Sequence, residues 1–370
     1  MQHLRLALAL SLSGSMLANT ANACTTFSFT ESAGRVVGKS LDWHQEYGRF
    51  YTNPRGLGKQ AFLLNTEAKP AEWISKYGSL TMNQYGRETP IGGVNEKGLV
   101  VENMWLDETA HPAVLTKPAV NELQWIQYQL DNFATLDEAV ENVHRLEIAP
   151  VYGMLHYLIC DETGACAVFE FLKGKIEVQR TDGGKPAALT NNRYQESLDF
   201  LKDLVGFGGI RPIPPGAESL SRFARASLAV KTAATAPSKC PVVSAFHVLD
   251  SVRATETNRS VWNNVWDRAE KKVYFRTWTD KTIRSISWDK FDYSCAKPSK
   301  TLPIDRVTAG GQGLGPAGDV TAKFADYTTE ANTALAKLSL KHIENVLPAG
   351  AIEAFGGYPA KLPCLVPNHR

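Results

Sequence analysis

From Cys24 the chain alternates apolar and polar positions through Thr25-Thr26-Phe27-Ser28-Phe29. The alternation resumes over Arg35–Asp42 after the polar stretch Glu31–Gly34. Period two on both sides of a short turn predicts a β-hairpin whose first strand starts at the cysteine itself. A second strand pair is predicted over 92–106, with Lys97-Gly98 in its turn. The period then changes: Leu123, Ile126, Leu130 and Phe133 share one helical face, and Thr135-Leu-Asp-Glu138 forms a capping box for a following helix. Strands return over 154–180, and helical patterns over 193–204, 218–234 and 241–253. A strand-rich stretch covers 260–288, and a final helix is predicted over 322–346. Strands and helices arrive in blocks rather than in strict alternation, so the fold class is α+β with mostly antiparallel sheets. No repeat of solenoid or propeller length is visible. The nominal G-x-G-x-x-G at 310–319 contains Pro316 and follows no apolar strand, so it reads as a surface loop.

Residues 1–23 read as a secretory signal, with Arg5 in the charged region, an apolar run from Leu6 to Leu17, and the cleavage site Ala21-Asn22-Ala23. That run is too short to span a bilayer, which needs roughly 20 apolar residues, and no other stretch is long and apolar enough. Export of a chain without a membrane span follows, with the bacterial periplasm as destination. The rival lipoprotein signal would lipidate Cys24, but it normally carries a leucine-like residue three positions earlier, where Ala21 stands. With no interdomain linker in evidence, 24–370 reads as one domain ending in a helical tail.

A net charge of +2 gives no reason to expect a nucleic acid or an anionic membrane as partner. Hydrophobic content of 44% and charged content of 21% are those of an ordinary globular chain. The spacing of Cys160, Cys166, Cys240, Cys295 and Cys364 matches no zinc pattern, and nothing calls for a metal or other cofactor. Cys160 and Cys166 flank the turn-rich "DETGA" of a hairpin, where they are either a disulfide or two half-buried thiols; both readings stand.

Cleavage after Ala23 would leave Cys24 with a thiol and a free α-amine on one carbon. Their ordinary pKa values, about 8.5 and about 7.7 to 8.0, lie close enough for the amine to take the thiol's proton and later return one to a leaving amine. Such terminal-amine activation is a known variant of nucleophilic catalysis.

Five short motifs accompany that cysteine: Cys24 itself, "GKSLDW" at 38–43, "NEKGL" at 95–99, "LTNN" at 189–192 and "SRFAR" at 221–225. In order and rough spacing they resemble the choloylglycine hydrolases, N-terminal-nucleophile amidases that include bile salt hydrolases and penicillin V acylases. The stretches "LHYLICDETGACAVFEF" and "WNNVWDRAEKKVYF" resemble strands of that family, so the resemblance covers most of 24–290.

The resemblance implies an αββα sandwich, two stacked antiparallel sheets between helical layers, and a homotetramer. It implies Cys24 as nucleophile and Asp42 as the acceptor that orients the amine. Asn191 and Trp105 become the oxyanion donors, and Arg222 the cation that favours the thiolate. Two positions depart from the family. Lys39 stands where an arginine is usual, which keeps the charge but loses the planar fork. Trp105 stands where bile salt hydrolases have asparagine, and with Trp43 it places two indoles beside the scissile bond. Indoles suit a flat apolar acyl group or an alkyl chain. The first expectation is therefore a penicillin V acylase-like amidase that also acts on N-acyl homoserine lactones, and the second a bile salt hydrolase. An inactive acyl-amide binding protein is the third, favoured by Lys39 alone. His44 reads as a surface polar residue.

Overall fold

The computed structural model describes residues 24–29, 35–65, 67–255 and 258–365. The predicted signal at 1–23 and the hairpin turn at 31–34 lie outside them. Two antiparallel sheets dominate the fold. The first has the strand order 188–189, 25–29, 36–43, 259–267, 272–277, 284–287 and 318–319, with only its last pairing parallel. The second has nine strands in the order 175–180, 166–172, 155–160, 100–105, 92–95, 79–83, 49–53, 300–303 and 325–326. In the first sheet, Phe27 lies opposite Gly38 in the hairpin register. A Cβ at residue 38 would sit 2.5 Å from the Phe27 ring, so only glycine fits there.

The inward faces of the two sheets share one core, in which Val37, Leu41 and Trp266 of the first meet Phe50, Leu80, Val94 and Met104 of the second. Helix α1 (Glu122–Asn132) covers the outer face of the second sheet, packing Trp125, Ile126 and Leu130 against Val101, Tyr157 and Phe169. Helices α2 (Leu136–Asn142) and α3 (Tyr194–Leu201) follow along the chain. Helices α4 (Ser219–Thr235) and α5 (Pro241–Ser251) cover the outer face of the first sheet through Phe223, Ala224, Ala245 and Leu249. Helix, sheet, sheet, helix is the layering that the resemblance implies.

The caps follow the sequence. Asn121 accepts from the amides of Leu123 and Gln124 at the start of α1. Thr135 accepts from Glu138, whose carboxylate in turn takes the amide of Ala134. The C-terminal helix predicted over 322–346 differs. Residues 325–326 pair with 300–303 instead, and Thr328 caps α6 (Thr329–Leu340). A 3-10 turn over 341–346 follows, then Pro348 and Gly350, at φ 76°, before α7 (Ala351–Gly357). The stop is chemical: proline cannot continue a helix, and glycine takes the left-handed φ readily.

The 310–319 stretch is a loop, with only Gly318-Asp319 added to a sheet edge. Cys160 is bonded to Cys166 and Cys295 to Cys364, which settles what the cysteine spacing left open; Cys24 and Cys240 are free. Among the described residues no helix is long and apolar enough to cross a membrane.

Candidate active site

Cys24 precedes the first strand directly and is 4% exposed, with its Sγ 3.9 Å from the Asp42 carbonyl oxygen. The hairpin register explains the proximity, because Thr25 pairs with Ser40 and so brings the end of 36–43 alongside the cysteine. Asp42 is fully buried. Its Oδ1 accepts from Ser40 Oγ at 2.7 Å, and Ser40 Oγ lies 3.0 Å from Ser260 Oγ, its next hydrogen-bond partner. Its Oδ2 has no hydrogen-bond donor among the described residues. A buried carboxylate oxygen left without a partner is costly, so such an atom needs an explanation.

Arg222, on α4, is fully buried and ties the site together. Its Nη1 donates to the Cys24 carbonyl and to Thr25 Oγ1, its Nη2 to Asn191 Oδ1 at 2.9 Å, and its Nε to the Ala217 carbonyl at 2.8 Å. The planar fork of arginine fixes three separate segments at once. Asn191 Nδ2 donates to the Trp105 carbonyl at 2.9 Å, and its backbone amide to Ser219 Oγ at 2.8 Å. An amide nitrogen carries two N–H groups, so one remains beyond that bond. Cys24, Asp42, Asn191, Arg222 and the Trp105 main chain thus form one cluster.

Lys39 does not bond to Cys24. It reaches across to the second sheet, where its Nζ donates to the Asn103 carbonyl and lies 3.6 Å from Glu102 Oε2. Glu102 Oε1 is held by Trp266 Nε1 at 2.6 Å and Asn264 Nδ2 at 3.1 Å. Burial raises the Glu102 carboxyl, and the Lys39 charge opposes that.

Burial pushes the Cys24 thiol above its ordinary value; the Lys39 charge opposes, the Asp42 carboxylate adds, and Arg222 opposes more weakly. Burial also lifts Asp42 to about 6, with Arg222 the largest opposing influence. Burial thus shifts both acids toward their neutral forms, and a further positive charge between them would oppose that shift.

Beside the cysteine opens a cavity of about 1010 Å3, mouth included. Leu41, Trp43, Ile91, Trp105 and Leu155 line it near the strands, and its surface is almost wholly carbon. The indoles of Trp43 and Trp105 lie 6.2 Å apart, and Tyr152 packs 6.0 Å from Trp105. His44 is exposed, with its ring against Trp43 and 4.7 Å from that of His342.

Two residues that matter here, Glu122 and His156, are not singled out by the sequence reading. Glu122, the first residue of α1, accepts from the backbone amides of Val151, Tyr152 and Gly153 at 2.8 to 2.9 Å, and so fixes the loop that carries Tyr152. His156, fully buried, donates from Nε2 to the Thr190 carbonyl at 2.7 Å, one residue from Asn191. Its Nδ1 faces Glu170 at 3.2 Å. The helix-opening acid beside the cap Asn121 was the one readable hint for Glu122. The pairing of His156 depends on strand order, which no local pattern encodes.

Comparison with known proteins bears on the family and the fold. The profile of the family described as linear amide C–N hydrolases, choloylglycine hydrolase family, matches residues 24–300. A penicillin V acylase of Pectobacterium atrosepticum is 29% identical over an alignment of 230 positions that covers 56% of this chain and 60% of that acylase. The solved penicillin V acylase from Agrobacterium tumefaciens superposes with a TM-score of 0.70 at 24% identity, covering 82% of this chain and 98% of that one. A variant of the conjugated bile acid hydrolase from Clostridium perfringens gives 0.64 at 19%, covering 76% and 97%. These two structural likenesses carry the fold.

Proposed function

Because the chain belongs to the choloylglycine hydrolase family, we propose that it is an exported amidase in which Cys24, freed of the residues before it, is the nucleophile. The observation that carries this reading is the unpartnered Oδ2 of Asp42. An ammonium on Cys24 supplies the donor this carboxylate lacks, and its charge lowers both pKa values that burial has raised.

In the reaction the α-amine takes the thiol proton, and sulfur attacks the amide carbon. The resulting oxyanion is held by the second N–H of Asn191 and, as the family resemblance implies, by the backbone N–H of Trp105, while the Trp105 carbonyl and Arg222 brace the Asn191 side chain. Collapse breaks the C–N bond as the amine hands its proton to the leaving nitrogen, leaving a thioester. Water, deprotonated by the same amine, attacks the thioester and restores the thiol with release of the acid.

The carbon-lined cavity supports an apolar acyl group, hence a penicillin V acylase-like enzyme that also acts on N-acyl homoserine lactones. Two disulfides support an oxidising compartment, and with the predicted signal they favour the periplasm. The homotetramer rests on family resemblance alone, and light scattering of the purified chain tests it.

Intact mass and an amide panel test the central reading. Exported protein should begin at Cys24 with an unmodified amine, and one extra residue before Cys24 should abolish turnover while leaving the fold intact. Penicillin V or an acyl-homoserine lactone should be cleaved in preference to glycine- or taurine-conjugated bile acids. A preference for the bile acids makes the chain a bile salt hydrolase. Binding with no turnover of any amide makes it an acyl-amide binding protein.

A further inference from the structure

The family match ends at residue 300, but the cavity does not. Leu340, Ile343, Leu347, Ala351 and Phe355 line it together with Cys24. They come from α6, the 3-10 turn, the link after it and α7, the part of the chain that sequence presents as a helical tail. This segment is held at both ends. Upstream, residues 325–326 pair with 300–303, which pairs in turn with 49–53. Downstream, Cys364 is bonded to Cys295, 69 residues away; Leu365 N donates to Gly56 O at 2.7 Å, and Gly58 N to Pro363 O at 2.9 Å.

Its middle is held as well. Asn332, fully buried, accepts the amide of Arg87 at 2.8 Å and donates to Gly356 O at 2.8 Å. It therefore locks α7 to the 84–91 loop, whose Gln84, Tyr85, Thr89 and Ile91 also line the cavity. Gln45 Nε2 donates to Ser339 O at 2.7 Å, and Tyr358 Oη to Gln60 O at 2.7 Å. A strap fastened at both ends and in the middle is a wall.

We propose that the segment 329–358 is the specificity wall of this enzyme. On this proposal Ile343, Leu347, Ala351 and Phe355 set the length of the acyl chain accepted at Cys24, while Asn332 and the Cys295–Cys364 disulfide are positioning elements that hold the wall at that spacing. The proposal rests on the reading that the acyl group of the substrate occupies the cavity. Burying each further methylene of a chain in a carbon-lined cavity is worth roughly fourfold in affinity. A side chain added to the wall removes that room, because close-packed surroundings do not yield it elsewhere.

The test uses p-nitroanilides of butanoic, octanoic and dodecanoic acid, together with quenching of indole fluorescence by the free carboxylates, since Trp43 and Trp105 line the same cavity. Ala351→Leu should lower the dodecanoyl-to-butanoyl ratio of kcat/KM by about tenfold or more, and Ile343→Ala should raise it by several-fold. Cys364→Ser should lower the ratio through KM, with kcat nearly unmoved, as loss of position rather than of chemistry requires. If folded Ala351→Leu and Ile343→Ala both keep the wild-type ratio and the wild-type affinity for dodecanoate, the wall does not set specificity. If wild type cleaves no amide but dodecanoate binds with an affinity that follows these substitutions, the wall stands and the hydrolase reading falls.

Discussion

The two sides of the cavity are built on different principles. Behind the carbon lining at Cys24 lies a polar, largely buried cluster hydrogen-bonded from three directions: Arg222 alone joins α4, the first strand and the 189–192 motif. The far side is carbon, contributed by loops and C-terminal helices, and is positioned by a few anchors such as Asn332 and one disulfide. A reacting centre must hold its groups to fractions of an ångström, which strands and a planar guanidinium provide. An acyl wall needs only volume and shape, which a short run of apolar side chains supplies and which substitution alters readily. On the proposals above, the chemistry belongs to the family-matched sheets and the selectivity to the segment beyond them.

Breaking the polar side should cost most. Cys24→Ser should remove nearly all turnover, because a hydroxyl is far less acidic than a thiol at neutral pH. Cys24→Ala should still bind a product acid, since the rest of the cavity lining is unchanged. Substantial turnover by Cys24→Ala would assign the nucleophile elsewhere. Asn191→Ala should lower kcat by about 10²- to 10³-fold, the usual effect of deleting an oxyanion donor, with a much smaller change in product binding. Normal kcat with weakened binding would move Asn191 to ground-state recognition.

Asp42 sharpens the comparison through pH. Its folded value near 6 lies above the ordinary 3.8, so the stability it contributes is fully present below pH 3.8 and is lost as pH rises through 6. The loss is at most about 3 kcal/mol, since a tenfold change in an acid's ionisation constant corresponds to about 1.4 kcal/mol. In a chain extended before Cys24, wild type should therefore lose stability relative to Asp42→Asn between pH 4 and 7. In the chain beginning at Cys24 the ammonium should remove that difference or reverse its sign. Urea unfolding of the four proteins across this range measures it; identical pH slopes would show that the amine does not meet Asp42.

How much of this was legible in the sequence follows the same division. The hairpin at Cys24, the capping box at Thr135 and the layering of the fold are local patterns or follow from motif order, and they appear where the pattern put them. Cys24, Asp42, Trp105, Asn191 and Arg222 converge in space because each stands beside a strand end or on a helix that the sheets bring together, whereas the 95–99 motif forms a turn whose Asn95 is bonded to Leu130 and Phe133. Lys39 was readable as a cation but not as one bonded to Asn103 and Glu102 of the other sheet, since its pairing depends on how the sheets stack. The roles of Glu122 and His156, and the inward faces of α6 and α7, are likewise tertiary. The one helix expected over 322–346 starts late, because 325–326 are held at a sheet edge and Thr328 is its cap, and its last six positions tighten into a 3-10 turn; α7 lies beyond it, after Pro348 and Gly350.

The smallest expected effect lies at Trp105, where the two sides meet. Its carbonyl belongs to the polar side, holding Asn191, while its indole belongs to the cavity, packed near Trp43 and Tyr152 with Nε1 donating to Asp107 at 2.6 Å. Trp105→Asn keeps the carbonyl and removes the indole, so it separates the two roles in one substitution. If the indole lines the acyl site, losing part of an aromatic contact surface should lower kcat/KM on phenoxyacetyl or alkanoyl amides by about tenfold. Conjugated bile acids should gain relative to these, because the cavity widens and acquires a polar group. The ratio of kcat/KM for the two substrate types, in wild type and variant, reads the change directly. A fall of about 10²-fold or more in kcat on every substrate alike would mean that the side chain also positions Asn191, and the boundary between chemistry and selectivity would have to be drawn on the cavity side of Trp105.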